Sequence, residues 1–188
     1  MPRRLRRERL SPWVELCEID TGPVDRPRTY HALAVPDYAT LLGFTPSGEV
    51  LVIRQFRPIL DAVVMELPSG MVDLGEDPLR AACREAVEET GFAIRAAQAL
   101  APLAVDGGRL LNRAHGVVAV VSATPEGPGE AGIEVGRLGW SSFAAHVAAG
   151  ALVQSNHVAL VAQALVDPAA AAFLEAHGIT PPWRTTSG

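Results

Sequence analysis

The chain has 188 residues, 48% of them hydrophobic, which suits one domain with a sizeable core. Its formal charge of −5 argues against a dedicated nucleic-acid binder, which carries a basic face. Two cysteines without a CxxC pair, Cys17 and Cys83, argue against a disulfide framework or zinc site and lead us to expect a reducing, cytoplasmic setting. No apolar run approaches the roughly 18 residues needed to span a bilayer, so no membrane partner is expected.

Residues 1–12, with Arg3, Arg4, Arg6, Arg7 and Arg9, read as a solvated, flexible arm, since no apolar signal region follows. Strands are expected over Val14–Ile19, Tyr30–Val35 and Ala39–Thr45. Pro46, Ser47 and Gly48 mark a hairpin turn into Glu49–Phe56, and Val63–Leu67 is a further short strand stopped by Pro68. The period then changes. Asp77 and Pro78 are N-cap and N1 chemistry for a helix reaching Thr90, with Gly91 as its left-handed stop. Strands are expected again over Ala99–Val105 and His115–Ser122, with a loop over 124–132. Ser141 or Ser142 caps one expected helix and Ser155 another, an Ala-rich helix follows Pro168, and Pro181 and Pro182 open a loose tail. Strands, a central helix, more strands and then helices imply an α+β or α/β/α domain.

The chemistry concentrates in Gly70–Phe92. On the helix, Glu85, Glu88 and Glu89 stand at i, i+3 and i+4 and share one face. Like charges there repel, and a hard divalent cation such as Mg²⁺ or Mn²⁺, which prefers carboxylate oxygen, would relieve them. By itself this pattern is most often a solvated acidic face. The context changes the reading: Gly70 and Gly75 permit a tight loop ahead of the helix, Glu76 and Arg84 can pair across it, and Gly91 closes it.

The segment resembles the Nudix box: a glycine, five residues, Glu, seven residues, then Arg-Glu-x-x-Glu-Glu-x-Gly and an apolar residue. Gly70, Glu76, Arg84, Glu85, Glu88, Glu89, Gly91 and Phe92 match, and Ala86 is smaller than the usual Leu or Ile. Seven fixed types at about 7% abundance each coincide on the order of 10⁻⁸ per starting position, so the motif is specific. The resemblance implies an α/β/α sandwich around a mixed sheet, with the hydrolase domain over 46–178, N-terminal strands over 13–45 and a loose tail over 179–188. It also implies hydrolysis of a nucleoside diphosphate linked to another group, with Mg²⁺ or Mn²⁺. Glu85 and Glu89 become the principal metal ligands, Glu88 assists metal and catalysis, and a carbonyl of Ser69 or Gly70 completes the shell. Glu76 and Arg84 become structural.

Val50–Arg57 and Glu66–Gly70 are similar to the ADP-ribose and nucleoside diphosphate sugar pyrophosphatases. That similarity assigns substrate contacts to Arg57, Arg54 and Glu66. It implies a homodimer in which residues 13–45 reach the partner. Where such enzymes carry a Ser-Pro-Gly stretch, this chain has Asp106–Arg113, whose Arg109 and Arg113 offer phosphate contacts. A general base is sought among Glu126, Glu130 and Glu134, with Glu130 preferred because it precedes a short Gly-Ile-Glu-Val strand. The five histidines show no metal-ligand spacing and read as packing or surface residues, and Cys83 needs no catalytic role. The expected activity is Mg²⁺-dependent cleavage of ADP-ribose or a related nucleoside diphosphate sugar to a nucleoside monophosphate and a sugar phosphate. Alternatives are hydrolysis of a dinucleotide or nucleoside triphosphate, or nucleotide sensing without cleavage.

Overall fold

A computed structural model describes residues 3–23, 26 and 28–184. Two sheets organise the chain. The first is antiparallel and three-stranded, in the order β1 (Arg3–Ser11), β2 (Val14–Asp20) and β3 (Thr29–Ala34). The arm expected over 1–12 is thus a strand from residue 3. Its arginines look self-repelling along the chain, but β2 supplies the complement: Arg6 lies opposite Glu18, Arg9 opposite Glu15, and Arg7 pairs with Glu15 at 2.9 Å. Opposite charges across an antiparallel ladder stabilise it by a few tenths of a kcal/mol or more per pair.

The second sheet has the strand order β11 (Glu134–Leu138), β5 (Val50–Arg57), β4 (Tyr38–Phe44), β10 (Arg113–Val121), β8 (Ile94–Ala99). Near one end β4 and β5 diverge. There β6 (Ala62–Glu66) pairs with β5, β7 (Ser69–Met71) pairs with β4, and β9 (Leu103–Ala104) pairs with β10. β4 and β10 are parallel and their neighbours antiparallel, so the sheet is mixed, as expected. β4 and β10 read as continuous apolar runs because both faces are covered. One face packs against α1 (Pro78–Thr90), where Ala81, Ala82 and Ala86 meet Leu41, Leu51, Val117 and Val121. The small Ala86, unusual for the box, is fully buried in this tight contact. The other face packs against α2 (Trp140–Ala148), α3 (Ser155–Val166) and α4 (Pro168–Ala176) through Phe44, Val118, Phe143, Leu160, Ala164 and Leu174. The result is the expected α/β/α sandwich.

Several boundaries differ from expectation. The strand expected over Ala99–Val105 is split by the 101–102 Ala-Pro pair, and β8 lies earlier, in an Ala-rich stretch with weak strand signal. Neither Ser141 nor Ser142 caps α2, which starts from Gly139, and α3 starts from Gln154 rather than Ser155, with no side-chain cap. The tail is anchored through Arg184: Ile179 is buried, and the Trp183 ring lies 6.1 Å from Phe44 and 5.5 Å from Trp140. Among the described residues no single helix is long and apolar enough to cross a membrane.

Candidate metal and diphosphate site

Helix α1 is fixed at both ends. The Asp77 side chain accepts from the Arg80 N–H at 3.1 Å, and Gly91 closes the helix at φ 71°. A Cβ on Gly91 would overlap the Gly127 carbonyl, and the Gly91 carbonyl accepts from the Glu126 and Gly127 N–H groups. The Glu130 N–H donates to the Glu89 carbonyl at 3.2 Å, and a Cβ on Gly129 would come within 2.8 Å of that carbonyl. The loop carrying Glu130 is therefore stitched to the end of α1 that carries Glu89.

The loop ahead of α1 is held by Arg84. Its Nε and Nη2 donate to the two Glu76 oxygens, each at 3.0 Å, and Nη2 also reaches the Met71 carbonyl at 3.3 Å. The expected ion pair is formed, and it pulls the Glu76 carboxyl below the usual range, the Arg84 hydrogen bonds being the main cause. Arg84 Nη1 donates to Glu85 at 2.8 Å and to Glu88 at 3.1 Å.

Strand β7 passes directly over α1. A Cβ on Gly70 would overlap the Glu85 carboxylate, so only glycine admits Glu85 there. The Ser69 N–H donates to Glu89 Oε2 at 2.9 Å. Glu85, Glu89, Ser69 and Gly70 are thus brought together, with the more exposed Glu88 at the rim. Burial pushes the Glu85 carboxyl up against the opposing pull of Arg84. Glu89, 5% exposed, is pushed up to about 8, first by burial and then by the charges of Glu85 and Glu130, against the Ser69 hydrogen bond and Arg57. Among the described residues no three Asp, Glu, His or Cys side chains are grouped closely enough to hold a metal ion: Glu85 and Glu88 accept from Arg84, and Glu89 from the Ser69 amide. The donors on offer are all oxygen, Glu89 is buried, and burial raises both its carboxyl and that of the part-exposed Glu85. That combination fits a hard divalent cation and not a soft one.

Arg57 and Glu66 face this centre from the diverging strands. Glu66 is 0% exposed. Its Oε1 accepts from Arg57 Nε (2.9 Å) and Gln154 Nε2 (3.1 Å), and its Oε2 from Arg57 Nη2 (2.6 Å) and Gln55 Nε2 (3.1 Å). Burial alone would raise this carboxyl, but the hydrogen bonds from Arg57 and Gln154 and the guanidinium charge bring it below the usual range. All four acceptor positions are filled, so the direct substrate contact expected of Glu66 is not available in this geometry. Arg57 is half-buried and within electrostatic reach of Glu89.

Other expected residues lie elsewhere. Arg54 projects from the face of β5 opposite to Arg57, since the two are three residues apart on a regular strand, and it stands across from Glu134 of β11. Arg109 belongs to a surface loop tied to β3 through its own carbonyl, which accepts from the Leu33 N–H at 2.8 Å. Glu126 pairs with Arg95. Gln55 and Gln154 were not anticipated, because an uncharged amide at a strand or helix end gives no spacing signal. His157, expected in packing, is buried and neutral, its pKa lowered to about 4 chiefly by burial; its Nδ1 accepts from the Leu67 N–H at 3.2 Å. A cleft of about 580 Å³ opens beside the Met71–Glu76 loop, walled by Arg9, Pro12 and Trp13 of the first hairpin.

A Bacillus subtilis ADP-ribose pyrophosphatase is 35% identical over 80 residues, 43% of this chain and 42% of the relative. An ADP-ribose pyrophosphatase of Saccharomyces cerevisiae is 50% identical over 44 residues, covering 23% and 19%. A Mus musculus ADP-sugar pyrophosphatase is 32% identical over 78 residues, covering 42% and 36%. The chain spans less than half the length of each of these relatives. The family model described as the NUDIX domain matches residues 37–159, which hold α1, its loop, Arg57, Glu66 and Glu130, and the chain belongs to that family.

Proposed function

We propose that the protein is a Mg²⁺- or Mn²⁺-dependent hydrolase that cleaves the diphosphate of ADP-ribose or a related nucleoside diphosphate sugar, giving a nucleoside monophosphate and a sugar phosphate. The observation that carries this is the convergence of Glu85 on Gly70 and of Glu89 on the neighbouring Ser69, with Arg57 within electrostatic reach. The names of the relatives supply the substrate class. Glu85, Glu89 and a Ser69 or Gly70 carbonyl would hold the cation, with Glu88 at its edge. Such a cation neutralises diphosphate charge and lowers the pKa of bound water. Arg57 offers Nη1, which has no hydrogen-bond partner among the described residues, to a phosphate oxygen. Glu130 is the candidate for accepting the water's proton, since its loop is tied to Glu89. The cleft beside Trp13 offers an aromatic surface to a base.

In this reading the protein works in the cytoplasm as a homodimer without nucleic-acid or membrane partners. The exposed Trp13, Tyr30, Phe56, Ile59, Leu60 and Val63 supply apolar surface for the subunit contact. A second reading, hydrolysis of a dinucleotide or nucleoside triphosphate, draws on the Asp106–Arg113 loop, which departs from the stretch usual in ADP-ribose enzymes. A panel of ADP-ribose, other nucleoside diphosphate sugars, dinucleotides and nucleoside triphosphates with each metal, scored by phosphate release after phosphatase coupling, separates the two. No turnover of any of them sinks the hydrolase assignment. Light scattering at several concentrations tests the dimer.

A further inference from the structure

The start of α3 has an unexplained economy. A helix N-terminus leaves its first N–H groups without intrahelical partners, and a side chain at the capping position ordinarily serves them. Gln154 holds that position but caps nothing. Its amide turns away and donates at 3.1 Å to Glu66, 88 residues earlier in the chain. One turn further, His157 Nδ1 accepts from the Leu67 N–H, so the same helix end grips the chain just after Glu66. The fully buried Glu66 in turn takes two of the Arg57 nitrogens and leaves Nη1 over.

We propose that Gln154 is a positioning residue for Arg57: its amide fills one of the four acceptor positions of Glu66, so that the carboxylate keeps a single orientation and presents the guanidinium with Nη1 toward the diphosphate. Without that amide, Oε1 loses a donor in a place water does not reach, and the carboxylate rotates to recover one. The Nε and Nη2 contacts cannot both survive that rotation, because the two-point fork depends on a common plane. The effect falls on substrate affinity and not on the cation, which Glu85, Glu89 and the β7 carbonyls would hold without help from Gln154. The inference rests on the reading of Arg57 as a phosphate contact.

Two variants separate positioning from helix capping. Gln154→Leu removes the amide. Gln154→Asn keeps an amide one methylene too short to reach Glu66, yet is a better N-cap than glutamine. We expect both to raise KM for ADP-ribose about tenfold, which is ~1.4 kcal/mol, with kcat within about threefold and Mn²⁺ affinity as in the parent protein. Asparagine restoring the parent KM overturns the proposal in favour of capping. In an Arg57→Ala background, Gln154→Leu adds nothing further to KM; a full additional tenfold rise there overturns it as well. The Arg57 Nε–H resonance provides a readout that needs no substrate. It exchanges slowly with water in the parent protein and about tenfold faster or more in both variants. If the parent protein cleaves nothing, the hydrolase reading fails, while unchanged exchange at Arg57 in the variants overturns the positioning role on its own.

Discussion

Glu66 and Glu89 are both buried glutamates within electrostatic reach of Arg57, yet their carboxyls are shifted in opposite directions. Glu66 meets four donor nitrogens, two of them from one guanidinium, and its carboxyl lies below the usual range. Glu89 accepts from one backbone amide, faces Glu85 and Glu130, and is pushed up to about 8. Burial is common to both, so the difference lies in compensation. A carboxylate whose lone pairs are all filled orients a neighbour. A carboxylate desolvated among like charges has an unmet need for a cation.

The largest effect is expected of Glu89→Gln, which keeps the shape and removes the charge. Turnover is expected to fall by about 10²–10³-fold, and the rise in melting temperature on adding Mg²⁺ or Mn²⁺ to disappear. Activity surviving within about tenfold, or ~1.4 kcal/mol in barrier, rules out the ligand role. Next comes Gly70→Ala, whose methyl would displace the Glu85 carboxylate. The displaced atoms are the far end of a flexible side chain, so stability should change little while turnover falls at least about tenfold. Gly75→Ala is the control: it strains a φ of 82° but meets no neighbour, so it should lower stability while leaving Glu85 in place.

The third test is pH. In the folded chain Glu89 holds its proton up to about 8, against an ordinary value of 4.5. Folding is therefore favoured by the protonated form, fully so below 4.5, and this contribution is lost as pH rises through about 8. The melting temperature of metal-free protein should fall over that window. The shift produced by a divalent cation should grow over the same window, because the cation binds the deprotonated form. A metal-induced shift that is flat from pH 5 to pH 8 contradicts the assignment. The smallest effect is expected at Arg54, which stands on the other face of β5: Arg54→Ala should move KM by less than about threefold, against tenfold or more for Arg57→Ala.

Much of the centre was legible before any fold was known, because its contacts are short in sequence. Glu76 and Arg84 are eight residues apart and do pair, and Gly91 does take the left-handed stop expected of it. The Arg57 side of the site was legible only in part. Strand alternation places Arg54 and Arg57 on opposite faces of β5, which the resemblance by itself does not separate. Gln154 lay out of reach, since nothing in a lone glutamine before a serine points to a carboxylate 88 residues away. The first strand was hidden for a third reason. Its arginines suggest repulsion until Glu15 and Glu18 are set across from them, and that pairing is a property of two segments together. Pro181 and Pro182 signal loose chain locally, while Trp183 finds Phe44 and Trp140 from far away, which no local pattern shows.

Arg84 carries one consequence for how the protein comes together. It already engages Glu76, Glu85, Glu88 and the Met71 carbonyl, joining loop to helix with a positive charge encoded in the chain. The box thus carries a counter-ion of its own, and the chain is expected to fold in metal-free buffer. Chelation should strip the centre and leave the fold standing, so that the same preparation can be emptied and reloaded with one ion after another.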